Sequence, residues 1–174
     1  MSLKYQFLEK ILRLIVQFVI FIFCFNQAMA QDPILIGRID AEETVITIDT
    51  SKIAKAMKRT FADGTIVDSM YIESEKGVHY LVGWGWKSGY RKIIAVQLVY
   101  NMSTRTFSIV QGMGHVTCAS AACNNCKPLK ENGIIIACHC VEKQTVSNQC
   151  NFTRVAHSLF YNNLSHFYKV DQSR

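Results

Sequence analysis

The chain has 174 residues, 49% hydrophobic and 18% charged, with a net charge of +6. That is about one domain's length with enough apolar material for a core, and it excludes a disordered or low-complexity chain. Its densest basic group, Lys52, Lys55, Lys58 and Arg59, falls mostly on the polar face of a predicted helix, which reads as a solvated surface and not as a nucleic-acid footprint.

Residues 1–30 read as a cleavable signal peptide. Lys4, Lys10 and Arg13 form a basic start, and Leu14–Phe25 is an apolar run broken only by Gln17. Ala28-Met29-Ala30 then puts small residues at the two positions a signal peptidase reads. A bilayer-spanning helix needs ~20 apolar residues, so the run is too short for a retained anchor. Phe23 is too bulky to precede a lipoprotein cysteine at Cys24, and no twin-arginine pair is present. The expectation is export to a periplasmic, cell-surface or extracellular setting, with no stable membrane insertion after cleavage. Three basic residues and one acidic residue leave with the signal, so the net charge falls from +6 to +4.

Beyond Gln31 the chain alternates between β-prone and helical patterns. Ile34-Leu35-Ile36 and Thr44–Ile48 are short β-prone runs. Asp49-Thr50-Ser51 supplies capping side chains for a helix over Ser51–Phe61, in which Ile53, Ala54, Met57 and Phe61 recur at helical spacing. A meander follows: Thr65–Glu73, a turn at Glu75-Lys76-Gly77, Val78–Trp86, a turn at Ser88-Gly89, Lys92–Tyr100 and Arg105–Val110. Turns this short imply antiparallel neighbours. The fold class expected is α+β, one helix packed on an antiparallel meander sheet, followed by a disulfide-rich C-terminal lobe. The division expected is a signal peptide over 1–30, an α+β body over 31–112 and a cysteine-rich lobe and tail over 113–174. Val155, Leu159, Leu164, Phe167 and Tyr168 mark a possible C-terminal helix face, capped by Asn151 or Thr153.

In Val78–Trp86, Tyr80, Val82, Trp84 and Trp86 share one strand face, and Gly83 and Gly85 leave the other bare. The aromatic row has two readings: a platform for sugar rings or a partner protein, or the core beneath the helix. The core reading is preferred, joining Ile53, Met57, Phe61, Tyr80, Val82, Trp84, Val96 and Leu98. The bare glycine face would then admit another backbone, such as the cysteine-rich tail.

Of seven cysteines, six follow residue 30: Cys118, Cys123, Cys126, Cys138, Cys140 and Cys150. An even, clustered set in an exported chain reads as a disulfide framework, with fifteen connectivities open. Cys138 and Cys140 stand two apart, so on a strand their sulfurs leave the same face. Each is expected to bridge back to the Cys118–Cys126 segment or forward to Cys150. The alternative is a thiol-redox or zinc-binding envelope protein using the same residues. Zinc would take Cys123-x2-Cys126 and Cys138-x-Cys140 as two knuckles, with His139 or His115 in reserve. Cys123-Asn124-Asn125-Cys126 also has the C-x-x-C form of thiol oxidoreductases, but without their βαβ setting. Cys118-x4-Cys123-x2-Cys126 matches part of a plant-type iron–sulfur loop, yet the fourth cysteine follows too soon. No catalytic residue, metal or other cofactor is therefore assigned, and His139 reads as a surface histidine.

The order of helix, "YLVGWG" strand, "IAVQLVYN" strand and C-x4-C-x2-C…C-x-C…C-N tail resembles small exported bacterial proteins of uncharacterised function. That resemblance implies an envelope or extracellular setting and brings no ligand or catalytic residue with it. The helix-on-meander arrangement is similar in shape to the cystatins, whose Q-x-V-x-G hairpin Gln97–Asn101 approaches but ends in Asn; fold does not carry function. Sequons stand at Asn101, Asn151 and Asn163. The function expected is an exported, non-enzymatic interaction or structural module with an unknown protein or glycan partner and no nucleic acid.

Overall fold

The computed structural model describes residues 13–17, 31–123, 125–141 and 150–172, with side chains as far as Tyr168. The chain divides into Met1–Asp32 and Pro33–Arg174. In the first unit residues 13–17 are helical, while Cys24 and the expected cleavage segment Ala28–Ala30 lie outside the described residues. Among the described residues no helix is long and apolar enough to cross a membrane.

In the second unit β1 (Ile34–Asp40) and β2 (Glu43–Ile46) form an antiparallel hairpin. Helix α1 (Thr50–Phe61) starts where the Asp49 carboxylate accepts the Ser51 N–H at 2.8 Å, satisfying a donor the helix leaves open. It ends at Ala62, in the left-handed conformation. The meander then runs β3 (Ile66–Glu75), β4 (Val78–Lys87), β5 (Tyr90–Asn101) and β6 (Thr106–Ile109). Gly77 at the β3–β4 turn takes a φ of 78°, open to glycine without a Cβ penalty. Gln97–Asn101, the segment set beside the cystatin hairpin, is the last part of β5.

The cysteine-rich half shares the main sheet in part. Its strands β7 (His115–Ala119) and β10 (Asn151–Val155) continue the main sheet, in the order β10-β7-β5-β6-β1-β2 with β4 also on β5 and β3 on β4. The other two strands, β8 (Cys126–Glu131) and β9 (Ile134–Cys140), form a hairpin of their own. Helix α2 (Phe160–Gln172) begins later than expected. Asn151–Val155 is a strand, Leu159 is exposed, and Ser158 Oγ accepts the Phe160 N–H at 3.1 Å as the cap. The strand pairing of Phe152 with Cys118 and Thr153 with Thr117 overrides the helical spacing.

The sheet is covered on both faces; Val96 and Leu98 lie under the helix as expected, but the faces of β4 are the reverse of those expected. Against α1 and α2 lie Leu81, Ile94, Val96 and Leu98, with Ile53, Met57, Phe160 and Leu164 from the helices. Met57 sits over the glycine face: a Cβ built on Gly83 would come 2.8 Å from Met57 Sδ. Tyr80 and Val82 instead pack with Ile93, Ala95, Val116 and Ile135 under the β8–β9 hairpin. The bare face thus receives a methionine side chain, not the tail, and the bulky face receives the tail.

Met57 is fully buried and Trp86 is 44% exposed. Met57→Ala is therefore expected to cost about 2–5 kcal/mol in urea unfolding, and Trp86→Ala less than about 0.5 kcal/mol. Equal losses would mean that the assignment of faces is wrong.

Candidate functional site

Three groups of chemistry-bearing side chains stand out among the described residues, the first being an open aromatic cleft. Trp84 is half-buried against the core under the β8–β9 hairpin, and Trp86, further along β4, is exposed. Neither is core beneath α1, and the aromatic row is split, with Tyr80 buried at one end. The register between β3 and β4 shifts between Val67 and Ser69, an irregularity of the kind that re-aims a side chain. Asp68 Oδ2 there accepts the Trp86 indole N–H at 3.0 Å, and Trp84 Nε1 donates to Tyr71 Oη at 3.3 Å. Arg91 places its guanidinium carbon 5.4 and 5.3 Å from the Trp84 and Trp86 ring centroids, within cation–π range. With Ser69 these side chains line a cleft of about 490 Å³. It offers flat apolar rings beside a carboxylate, a guanidinium and a phenol.

The second group is the sulfur cluster. All six cysteines after residue 30 lie at disulfide distances: Cys118 with Cys138, Cys123 with Cys140 and Cys126 with Cys150. Cys138 and Cys140 do bridge back to the earlier segment. The first pair ties β7 of the main sheet to β9. The docked hairpin is held further by Tyr80 Oη, which accepts the Ile135 N–H at 3.5 Å, and by Arg154, which donates to the Ile135 carbonyl. Lys130 pairs with Glu73 at 2.7 Å and Glu75 at 3.5 Å. The sulfurs of Cys123, Cys126 and Cys150 lie within 4.8 Å of one another, close enough to converge on one ion if both bonds were reduced. His115, held in reserve as a ligand, is on the helix side against Phe61, and His139 is exposed.

The third group, built on the buried Lys92, His115 and Ser158 with the half-buried Asp63 and Lys87, was not foreseen. Lys92 Nζ lies 2.6 Å from Asp63 Oδ2 and 5.1 Å from the Phe61 centroid, and Lys87 reaches the same carboxylate at 3.2 Å. Burial works against the Asp63 charge, but hydrogen bonds from Lys92, Thr65 and Lys87 outweigh it and hold its pKa well below the usual carboxylate range. His115 Nδ1 is 2.8 Å from Ser158 Oγ; burial first, then the Lys92 charge, lowers the imidazole pKa. This histidine–serine pair has the distance of a base and nucleophile, yet it is buried and the hydroxyl is engaged in capping α2.

Arg91 was legible in principle. A two-residue turn at Ser88-Gly89 pairs Lys87 with Tyr90 and so sets Trp86 opposite Arg91. Asp68 and Tyr71 depend on the irregularity in β3, which leaves no local signature. Of the sequons, Asn101 and Asn151 are exposed, whereas Asn163 Nδ2 donates to Thr60 Oγ1 at 2.9 Å and ties the two helices. Comparison with protein-family models, curated proteins and solved structures finds no match to this chain.

Both lowered pKa values have the same sign for stability. Each group binds protons more readily when unfolded, so its contribution is complete above the unfolded pKa and is lost as pH falls. The urea midpoint is expected to fall on acidification below about pH 6.5 through His115 and through His79, whose burial also lowers its imidazole pKa, and again below about pH 4 through Asp63 and Asp49. His115→Gln should make the first fall shallower and leave the second. A midpoint in the variant with the wild-type profile between pH 7 and 5 would remove His115 from this account.

Proposed function

We propose that the protein is an exported, non-enzymatic recognition module that binds a glycan in the cleft formed by Tyr71, Trp84, Trp86, Arg91 and Asp68. The observation that carries this is the cleft itself. One exposed and one half-buried indole, aligned by one guanidinium and anchored through Asp68 and Tyr71, match the needs of a pyranose: flat apolar faces for its C–H groups and charged partners for its hydroxyls. Large aromatic and arginine side chains are also those that dominate protein-partner hot spots. The side-by-side carboxylate and guanidinium favour the polyol.

Export is supported by the signal-like start of the sequence and by three disulfide pairs, which persist in oxidising compartments. The resemblance to small exported bacterial proteins belongs to the same reading. On it, the mature chain begins at Gln31, holds no stable place in the membrane and has no nucleic-acid partner. The non-enzymatic role is supported by the burial of the Ser158–His115 pair.

Two measurements test the proposal. Intact mass of the exported protein under non-reducing, alkylating conditions should give a chain from Gln31 with no alkyl group added; retention of residues 1–30 would overturn the export reading. Tryptophan emission titrated with soluble hexosamine and hexose oligosaccharides should show saturable change with at least one of them. Trp86→Ala and Arg91→Ala should each weaken that binding at least tenfold, about 1.4 kcal/mol, at unchanged urea midpoint. Saturation that survives both substitutions places the ligand elsewhere; a flat titration with every sugar rejects the glycan.

A further inference from the structure

The sulfur cluster carries a second inference, independent of the cleft. Two disulfides, Cys123–Cys140 and Cys126–Cys150, touch: three of their sulfurs lie within 4.8 Å of one another. Exchange proceeds by attack of a thiolate on a disulfide sulfur, so a bond that opens beside an intact one has its next substrate already in place. The cluster is also graded in access. Cys123, Cys126 and Cys140 are 2%, 1% and 5% exposed, whereas Cys150 is the half-buried member. Between Cys123 and Cys126 stands Asn125, whose side-chain oxygen is buried and unpaired among the described residues. A buried acceptor without a donor costs about 1–3 kcal/mol, so in this pairing the Asn125 side chain works against a segment that its own carbonyl, accepting the Val141 N–H at 3.1 Å, helps to hold. A released S–H would supply a donor.

We propose that these four cysteines form a thiol–disulfide exchange relay that an external thiol opens at Cys150. The thiolate of a low-molecular-weight or protein thiol attacks Cys150 Sγ. A bond forms between the two sulfurs, the Cys126–Cys150 bond breaks, and Cys126 leaves as the thiolate. Cys126 then attacks Cys123 Sγ: the Cys123–Cys126 bond forms, the Cys123–Cys140 bond breaks, and the electron pair leaves on Cys140. Attack of Cys140 on the mixed disulfide at Cys150 returns the external thiolate and forms Cys140–Cys150. No net electrons are transferred, and the thiol acts as a catalyst of isomerisation. The C-x-x-C spacing at 123–126, idle in the resting pairing, becomes the product disulfide. Cys118–Cys138 takes no part, so the hairpin stays tied to the main sheet throughout.

The relay is tested with Cys150→Ser, which leaves Cys126 without its partner. The relay transfers that vacancy: rapid alkylation, acid quench and peptide mapping should find most of the label on Cys140 and a closed Cys123–Cys126 bond. Label on Cys126 with Cys123–Cys140 intact overturns the relay. Because the variant can fail to fold, wild-type protein is treated in parallel with reduced glutathione under anaerobic conditions. Cys123–Cys126 should appear together with glutathione on Cys150 or a Cys140–Cys150 bond, before Cys118–Cys138 opens. Opening of Cys118–Cys138 first, or loss of Cys126–Cys150 with Cys123–Cys140 unchanged, overturns it as well. Sugar binding in the cleft has no bearing on either outcome.

Discussion

The fold is governed by the need to cover a sheet whose two central strands are apolar on both faces. Leu81, Ile94, Val96 and Leu98 point one way and Tyr80, Val82, Ile93 and Ala95 the other. A sheet of this kind needs three layers, and a chain this short has helices enough for one face only. The second cover is the β8–β9 hairpin, which contributes one fully buried large side chain, Ile135, and otherwise little apolar area. A two-stranded hairpin is marginal alone. Its attachment therefore rests on Cys118–Cys138, on the Arg154 and Tyr80 bonds to Ile135, and on Lys130 paired with Glu73 and Glu75. Disulfides closing loops of this size contribute about 3 kcal/mol each through the unfolded chain, comparable to burying a large side chain.

Local chemistry was legible in the sequence where it is set within a few residues. The Asp49 cap, the turns at Glu75-Lys76-Gly77 and Ser88-Gly89, and the alternation in β4 all appear where the residues place them. So does the return of Cys138 and Cys140 to the earlier cysteine segment. The choice of cover for each face was not legible. Alternation shows that Tyr80, Val82 and Trp84 share a face; it does not show whether a helix or a hairpin lies on it. Size decided that question: Met57 reaches the sheet because Gly83 leaves room, and a bulky row under the helix would have held it off. Strand β10 escaped for a related reason, since Phe152–Val155 becomes a strand only because β7 presents a free edge to it.

The cleft follows from the same geometry. At ~3.4 Å per residue, the seven residues of β9 reach about 24 Å and the ten of β4 about 34 Å. The hairpin tip is fixed at the β3–β4 turn, where Lys76 Nζ donates to Asn132 Oδ1 at 3.4 Å. The cover thus begins at Val78 and falls about 10 Å short of the far end, leaving Trp86 and Arg91 open and Trp84 partly buried at its margin. Trp86, exposed at that end, needs an explanation other than packing.

The start of β5 is held from both sides, and this bears on how ready the cleft is for a ligand. Arg91 and Lys92 are neighbours, so on a strand their side chains leave opposite faces. Arg91 lies across the two indoles, while Lys92 turns inward to Asp63 just beyond α1. Burying an ammonium is costly, and Asp63 offsets that cost only while it remains where the helix ends. The pair therefore fixes the end of α1 to the strand that carries Arg91, and Lys87, across the turn, joins the same carboxylate. Both strands beneath the Trp–Arg stack are held by ion pairs on the opposite face of the sheet. On the glycan-binding proposal, a ligand would meet indoles already aligned, and less of the interaction free energy would be lost in ordering them. Weakening Asp63–Lys92 would for this reason act on the cleft from the opposite face of the sheet, through the position of β5 and not through any contact with the ligand.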